Sequence, residues 1–237
     1  MRREKNFSGF MGQTLELIGA NAGAVALYLA VIGGLTAVGV MLDVTDRTNT
    51  VAGINYGFIV GAADTIGSAF FDLGMAVLSI IASYFLIARF LESQGRLPDR
   101  STRIWAYVGM SILAGFGIVL GLLLLLVRGI LLMVRWSAAS GFLIGARTGI
   151  TEALGASWEA TKGHSWSIFF AALVLFIVLV ILAGVVGGAI GFIGIDFLTA
   201  LISGVTEALG NVLTFAFGIG VYTLVHDDSR AIGEVFS

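Results

Sequence analysis

Apolar residues in this chain come in long unbroken runs, separated by short polar loops. A helix rises about 1.5 Å per residue, so roughly 20 apolar residues cross the ~30 Å hydrocarbon core of a bilayer. Runs of that kind lie near 17–41, 67–88, 104–127, 130–146, 166–190 and 198–225. They are continuous rather than alternating, which excludes a transmembrane barrel. In hydrocarbon every backbone amide must find its partner within the protein, and helices do this locally. The pattern predicts an all-α, polytopic integral membrane bundle of about six transmembrane helices, forming a single domain over 1–237. One apolar stretch does not fit. Val51–Ala63 is too short to cross alone, and joined to the run behind it would make a helix of about 60 Å. It is predicted as a short re-entrant or interfacial segment on the outer side.

Composition agrees with the pattern. The 237 residues are 58% hydrophobic and 12% charged, with a mean hydropathy of +1.00. Soluble domains carry about 25% charged residues, so this chain has too little polar surface to cover a globule in water. A net charge of −2 implies no attraction to nucleic acid. The absence of cysteine removes disulfides and thiol chemistry. The basic start, Met1-Arg2-Arg3-Glu4-Lys5, resembles that of a signal peptide. The apolar run behind it is too long for a signal core and lacks a small-residue cleavage site, so a retained anchor is expected.

Lysine and arginine set the orientation, because basic loops resist translocation. With six spans, one side holds Arg2, Arg3, Lys5, Arg89, Arg96, Arg100, Arg103, Arg147, Lys162 and Arg230, and the other only Arg47 and Arg128. Both termini are therefore expected in the cytoplasm, in a bacterial cytoplasmic (inner) membrane. Small residues recur four apart at Gly19 and Gly23, at Gly117 and Gly121, and at Ala183, Gly187 and Gly191. That spacing permits close helix crossings, inside one bundle or between copies and partner membrane proteins.

Between the fourth and fifth spans lies the least apolar connection. Thr148 is placed to cap a short helix over 148–163, with Ile150, Leu154 and Trp158 on one face and Gly163 ending it in a left-handed turn. Trp158 and Trp166 suit the headgroup layer, and Arg147 and Lys162 suit lipid phosphates, each worth about 1 kcal/mol near an anionic surface. The segment reads as an interfacial helix. Its residues also carry a resemblance: Arg135-Trp136, then Ala153-Leu154-Gly155-Ala156-Ser157-Trp158, then Thr161-Lys162-Gly163 and Trp166 before the next span. This order is similar to that of a bacterial membrane-domain superfamily. It includes the membrane domain attached to some glycerophosphodiester phosphodiesterases, and stand-alone relatives of unknown function. Members often have a Pro-Gly break before the Arg-Trp helix, where this chain has Arg128-Gly129. These 237 residues hold no phosphodiesterase catalytic domain. The resemblance implies a six-helix membrane fold and transfers no activity.

Charges inside apolar segments are costly and mark candidate sites. Arg135 is the foremost, and Asp64, Asp72 and Glu207 are its expected partners. An Arg135–Glu207 pair would lock the bundle or form an anion or lipid-headgroup site. Asp64 and Asp72 would line an outward vestibule or a plain solvated face. No zinc-type His-Glu-x-x-His, no Gly-x-Ser-x-Gly elbow and no phosphate-binding Walker loop occurs, and His164 and His226 are the only histidines. No cofactor or metal is implied. The sequence favours a non-enzymatic membrane protein acting through lipid or protein contacts, as scaffold, assembly subunit or bilayer-tuning factor. The alternative is a small transporter or channel for an anionic or lipid-like solute.

Overall fold

A computed structural model describes residues 4–42, 50–51, 54–55, 66–98, 101–191 and 195–235. The described helices are α1 (Phe7–Ala20), α2 (Ala22–Tyr28), a π-helical turn (Leu29–Gly33), α3 (Gly34–Met41), α4 (Ile66–Ser93), α5 (Ile104–Leu124), α6 (Leu126–Trp136), α7 (Ala139–Ile144), α8 (Ile150–Ala160), α9 (Ser165–Gly191) and α10 (Asp196–Val235). Among the described residues, six helical segments are long and apolar enough to cross a membrane: Ala22–Met41, Gly67–Ser93, Ile104–Leu124, Leu126–Ile144, Ser165–Ile190 and Asp196–His226. The all-α bundle read from the sequence is the observed architecture. Large apolar side chains stand exposed along these segments, including Phe70, Leu123 and Val127. Water would not sustain apolar surface on that scale, and lipid does.

Local chemistry moves several boundaries. The first span starts at Ala22, not near residue 17, because Asn21 ends α1. Its side-chain amide donates to the Leu17 carbonyl at 2.9 Å and to Ser93 Oγ at 2.9 Å, competing with the helical ladder. At the other end of α1, Asn6 Oδ1 accepts the Gly9 N–H at 2.9 Å. The stretch expected as a short re-entrant or interfacial segment opens with a short antiparallel ladder, β1 (Thr50–Val51) against β2 (Ile54–Asn55). The rest of Val51–Ala63, and Asp64 beyond it, lies outside the described residues.

The chain forms two compact units. One is residues 1–21, 87–173 and 215–237, and the other is 22–86 and 174–214. In the first, α5 and α6 form a tight hairpin with only Leu125 between them, its backbone extended (φ −159°, ψ 117°). Glycine makes the close approach possible. A Cβ on Gly121 would stand 3.1 Å from the Gly129 Cα, and one on Gly129 would stand 2.7 Å from the Leu122 nitrogen. Gly117 lies under the Trp136 ring, so the Gly117/Gly121 pair packs within the fold as small-xxx-small spacing allows. Phe10, Leu17, Phe90, Leu143, Ile168 and Tyr222 are fully or almost fully buried in the same unit.

In the second unit the closest crossing is Gly33 against Gly204, where a Cβ on Gly33 would meet the Val205 Cα at 3.0 Å. Ala37, Val40 and Ala200 form a small core beside it, with Leu201 packed on top. The π-helical turn ends at Gly33, so the irregular backbone sits at the crossing itself. Gly19, Gly23 and Gly187, expected as packing positions, meet nothing among the described residues within 4 Å of where a side chain would begin.

Candidate functional site

The Arg135 region is built by α6 and α8. Arg135 lies in the last turn of α6, and α8 returns alongside that helix. α8 is preceded by its N-cap residue Gly149, whose N–H donates to Glu152 Oε2 at 2.9 Å. The expected cap, Thr148, is engaged elsewhere: its hydroxyl donates to the Phe142 carbonyl at 3.0 Å. Gly163 has φ +80°, the left-handed turn expected after the helix. The buried face of α8 is rotated from the expected one. Ala153, Ser157 and Thr161 are fully buried at i, i+4 and i+8, Leu154 is buried, and Ile150 and Trp158 are half-buried. Short residues occupy the stripe because α6 approaches closely there.

That approach is fastened by reciprocal bonds. Ser157 Oγ donates to the Arg135 carbonyl at 2.7 Å, and Thr161 Oγ1 reaches the same oxygen at 3.4 Å. In return Arg135 Nη1 donates to the Trp158 carbonyl at 3.2 Å, and its guanidinium lies over the Trp158 ring at 5.2 Å. The Trp158 carbonyl belongs to the last turn of α8, where a cation complements the helix dipole. Arg135 Nε is buried without a hydrogen-bond partner among the described residues. The guanidinium thus spends its charge on an aromatic face and a helix end. Sequence reasoning gave it a carboxylate, Asp64, Asp72 or Glu207, because opposite charges are the visible signal in a chain; Asp64 lies outside the described residues. A tryptophan and a carbonyl 23 residues downstream give no such signal. Asp72 and Glu207 belong to the second unit; Asp72 is exposed and Glu207 half-buried.

The expected headgroup residues divide. Trp166 is 74% exposed and stacks on Phe170 at 5.9 Å, with Phe169 edge-on at 6.1 Å. Lys162 is exposed and holds Glu159 at 2.6 Å, a surface pair of small worth. Arg147 adopts a left-handed backbone (φ 56°) and hydrogen-bonds Ser101 Oγ. Trp158 lies beneath Arg135 and is only half-buried.

A second cluster escaped the sequence reading. Arg96 Nη1 lies 3.2 Å from His226 Nδ1, and its guanidinium is 5.7 Å from the Tyr222 ring centre. Phe142 meets Tyr222 edge-on at 5.0 Å, and Tyr222 lies 5.0 Å from His226. Gly141 makes room for the Tyr222 ring, and the Gly145 position faces its hydroxyl. Beside it Arg103 donates to the Leu143 and Thr148 carbonyls, both at 2.9 Å, tying the start of α5 to the end of α7. The available clues were spacings: Tyr222 and His226 four apart on one helix, Gly141 and Gly145 four apart on another.

These features define a class, the multi-pass integral membrane protein built as a helical bundle. No family model, no curated protein and no solved structure matches this chain.

Proposed function

We propose that the protein acts without catalysis, through lipid and membrane-protein contacts, as a scaffold or bilayer-tuning factor of a bacterial cytoplasmic membrane with both termini inside. The observation that carries this reading is the use to which Arg135 is put. A transporter for an anionic solute needs its intramembrane cation available to that solute. Here the guanidinium is committed to the ring and carbonyl of Trp158, and it joins α6 to α8. Trp166 and Lys162 remain exposed for the headgroup layer, and Gly19, Gly23 and Gly187 leave close-approach surface for a second copy or a partner helix.

Reconstitution tests it. Purified protein titrated with phosphatidylglycerol in detergent should melt several degrees higher than with phosphatidylcholine, as expected for a ligand that binds the folded state. Vesicles containing the protein should release an entrapped anionic dye no faster than empty ones. Protein-dependent release that falls in a folded Arg135→Gln variant would favour the transporter and overturn the proposal.

A further inference from the structure

The turn between α5 and α6 is the most exposed apolar turn among the described residues. Leu123, Leu124, Leu125, Leu126 and Val127 stand open in succession, Leu123 at 78% and Val127 at 77%. A loop that emerged into water would be polar, and this one is not. Its depth is bounded from two directions. Trp105, at the start of α5, is 84% exposed and follows the basic loop, which suits the headgroup layer of the near leaflet. From Trp105 to Leu125 the helix rises about 30 Å, the thickness of the hydrocarbon core. The turn therefore ends at the far edge of the core and does not pass through the far headgroups.

The backbone supplies the opposite bound. The Leu125 N–H donates to the Gly121 carbonyl at 3.0 Å, and the Leu125 carbonyl accepts from Arg128 and Gly129 at 2.8 and 3.2 Å. Beyond these bonds, the final carbonyls of α5 and the Leu126 and Val127 amides fall at helix ends, where the helix itself offers no partner. Such groups are too costly at the bilayer centre. Arg128, exposed on the first turn of α6, is the one charge here. Its side chain is long enough to snorkel from the edge of the core to the phosphate layer.

We propose that the α5–α6 turn is a sunken turn. Its leucines are seated among the acyl chains at the far boundary, and Arg128 reaches out to a phospholipid phosphate. This rests on the lipid-contact reading above and names its far-leaflet contact. The exposed apolar surface is continuous with the membrane-facing side of α5, and the cation matches the phosphate.

The chain has no cysteine, so single spin labels can be placed at Leu125→Cys and Val127→Cys, with Thr102→Cys as an aqueous reference and Phe116→Cys as a hydrocarbon reference. The probe bilayer is phosphatidylcholine with phosphatidylglycerol. Both turn labels should collide with oxygen as the Phe116 label does. Their collision with a water-soluble nickel chelate should be far weaker than that of the Thr102 label, because a polar chelate is excluded from hydrocarbon. Combined with Leu125→Cys, Arg128→Gln should shift the label deeper and Arg128→Lys should leave it in place. Nickel access equal to Thr102 would overturn the sunken turn, and an unmoved label in Arg128→Gln would overturn the phosphate contact. Should the Phe116 label itself read as aqueous, the membrane assignment fails and the proposal with it. A negative result in the lipid-dependent melting experiment, with sunken labels, would sink the proposed function alone.

Discussion

Arg135→Gln removes one side chain and leaves the backbone acceptor in place, so it isolates what the guanidinium contributes. Ser157 and Thr161 bond the Arg135 carbonyl and not its side chain, and those bonds survive the substitution. Lost are a cation–π contact of about 1–2 kcal/mol in a partly desolvated setting and a charged hydrogen bond of about 1.5–3 kcal/mol to the Trp158 carbonyl. Against these stands the relief of a buried Nε that has no acceptor among the described residues, a desolvation cost of about 1–3 kcal/mol. The balance is a net loss of about 2 kcal/mol, which for a chain of this size lowers the melting temperature by about 4–8 °C. The assay is a double-mutant cycle with Trp158→Leu, read by unfolding in mixed micelles. A real pairing gives a coupling of about 1 kcal/mol or more, so Arg135→Gln costs visibly less once Trp158 is gone. An equal cost in both backgrounds would show that the ring contributes nothing to holding Arg135, and the clamp between α6 and α8 would fail as an explanation.

Other substitutions probe the remaining structure. Ser157→Ala deletes a fully buried donor to the Arg135 carbonyl and should cost about 1–3 kcal/mol in the same unfolding assay. Gly129→Ala puts a methyl 2.7 Å from the Leu122 nitrogen, and overpacking of backbone should cost at least about 1–3 kcal/mol, whereas Gly23→Ala meets nothing within 4 Å and should be neutral or slightly stabilising. Gly163→Ala strains a residue at φ +80° and should lower stability by about 1–2 kcal/mol, measured against Gly155→Ala on the open face of α8. Lys162→Gln breaks an exposed pair and should change stability by less than about 0.5 kcal/mol.

The solvent of this protein, the order of its spans and the short helix before the fifth span were legible in the amino-acid sequence. Hydrophobicity is a property each residue carries alone, and it sums along a run without knowledge of any neighbour in space. Gly163 was legible too, because a left-handed turn after a helix is a local demand. Partner choice was not. The break at Asn21 depends on a side chain that bonds its own helix and Ser93, 72 residues on. The crossing of Gly33 with Gly204, the seating of Tyr222 on Gly141, and the turning of Arg135 toward Trp158 depend on which helix faces are brought together. Lipid is as apolar as leucine, so the pattern of apolar residues says that a helix is in the membrane without saying which neighbour it meets. Close packing and hydrogen bonding decide that, and both exist only once the chain has folded.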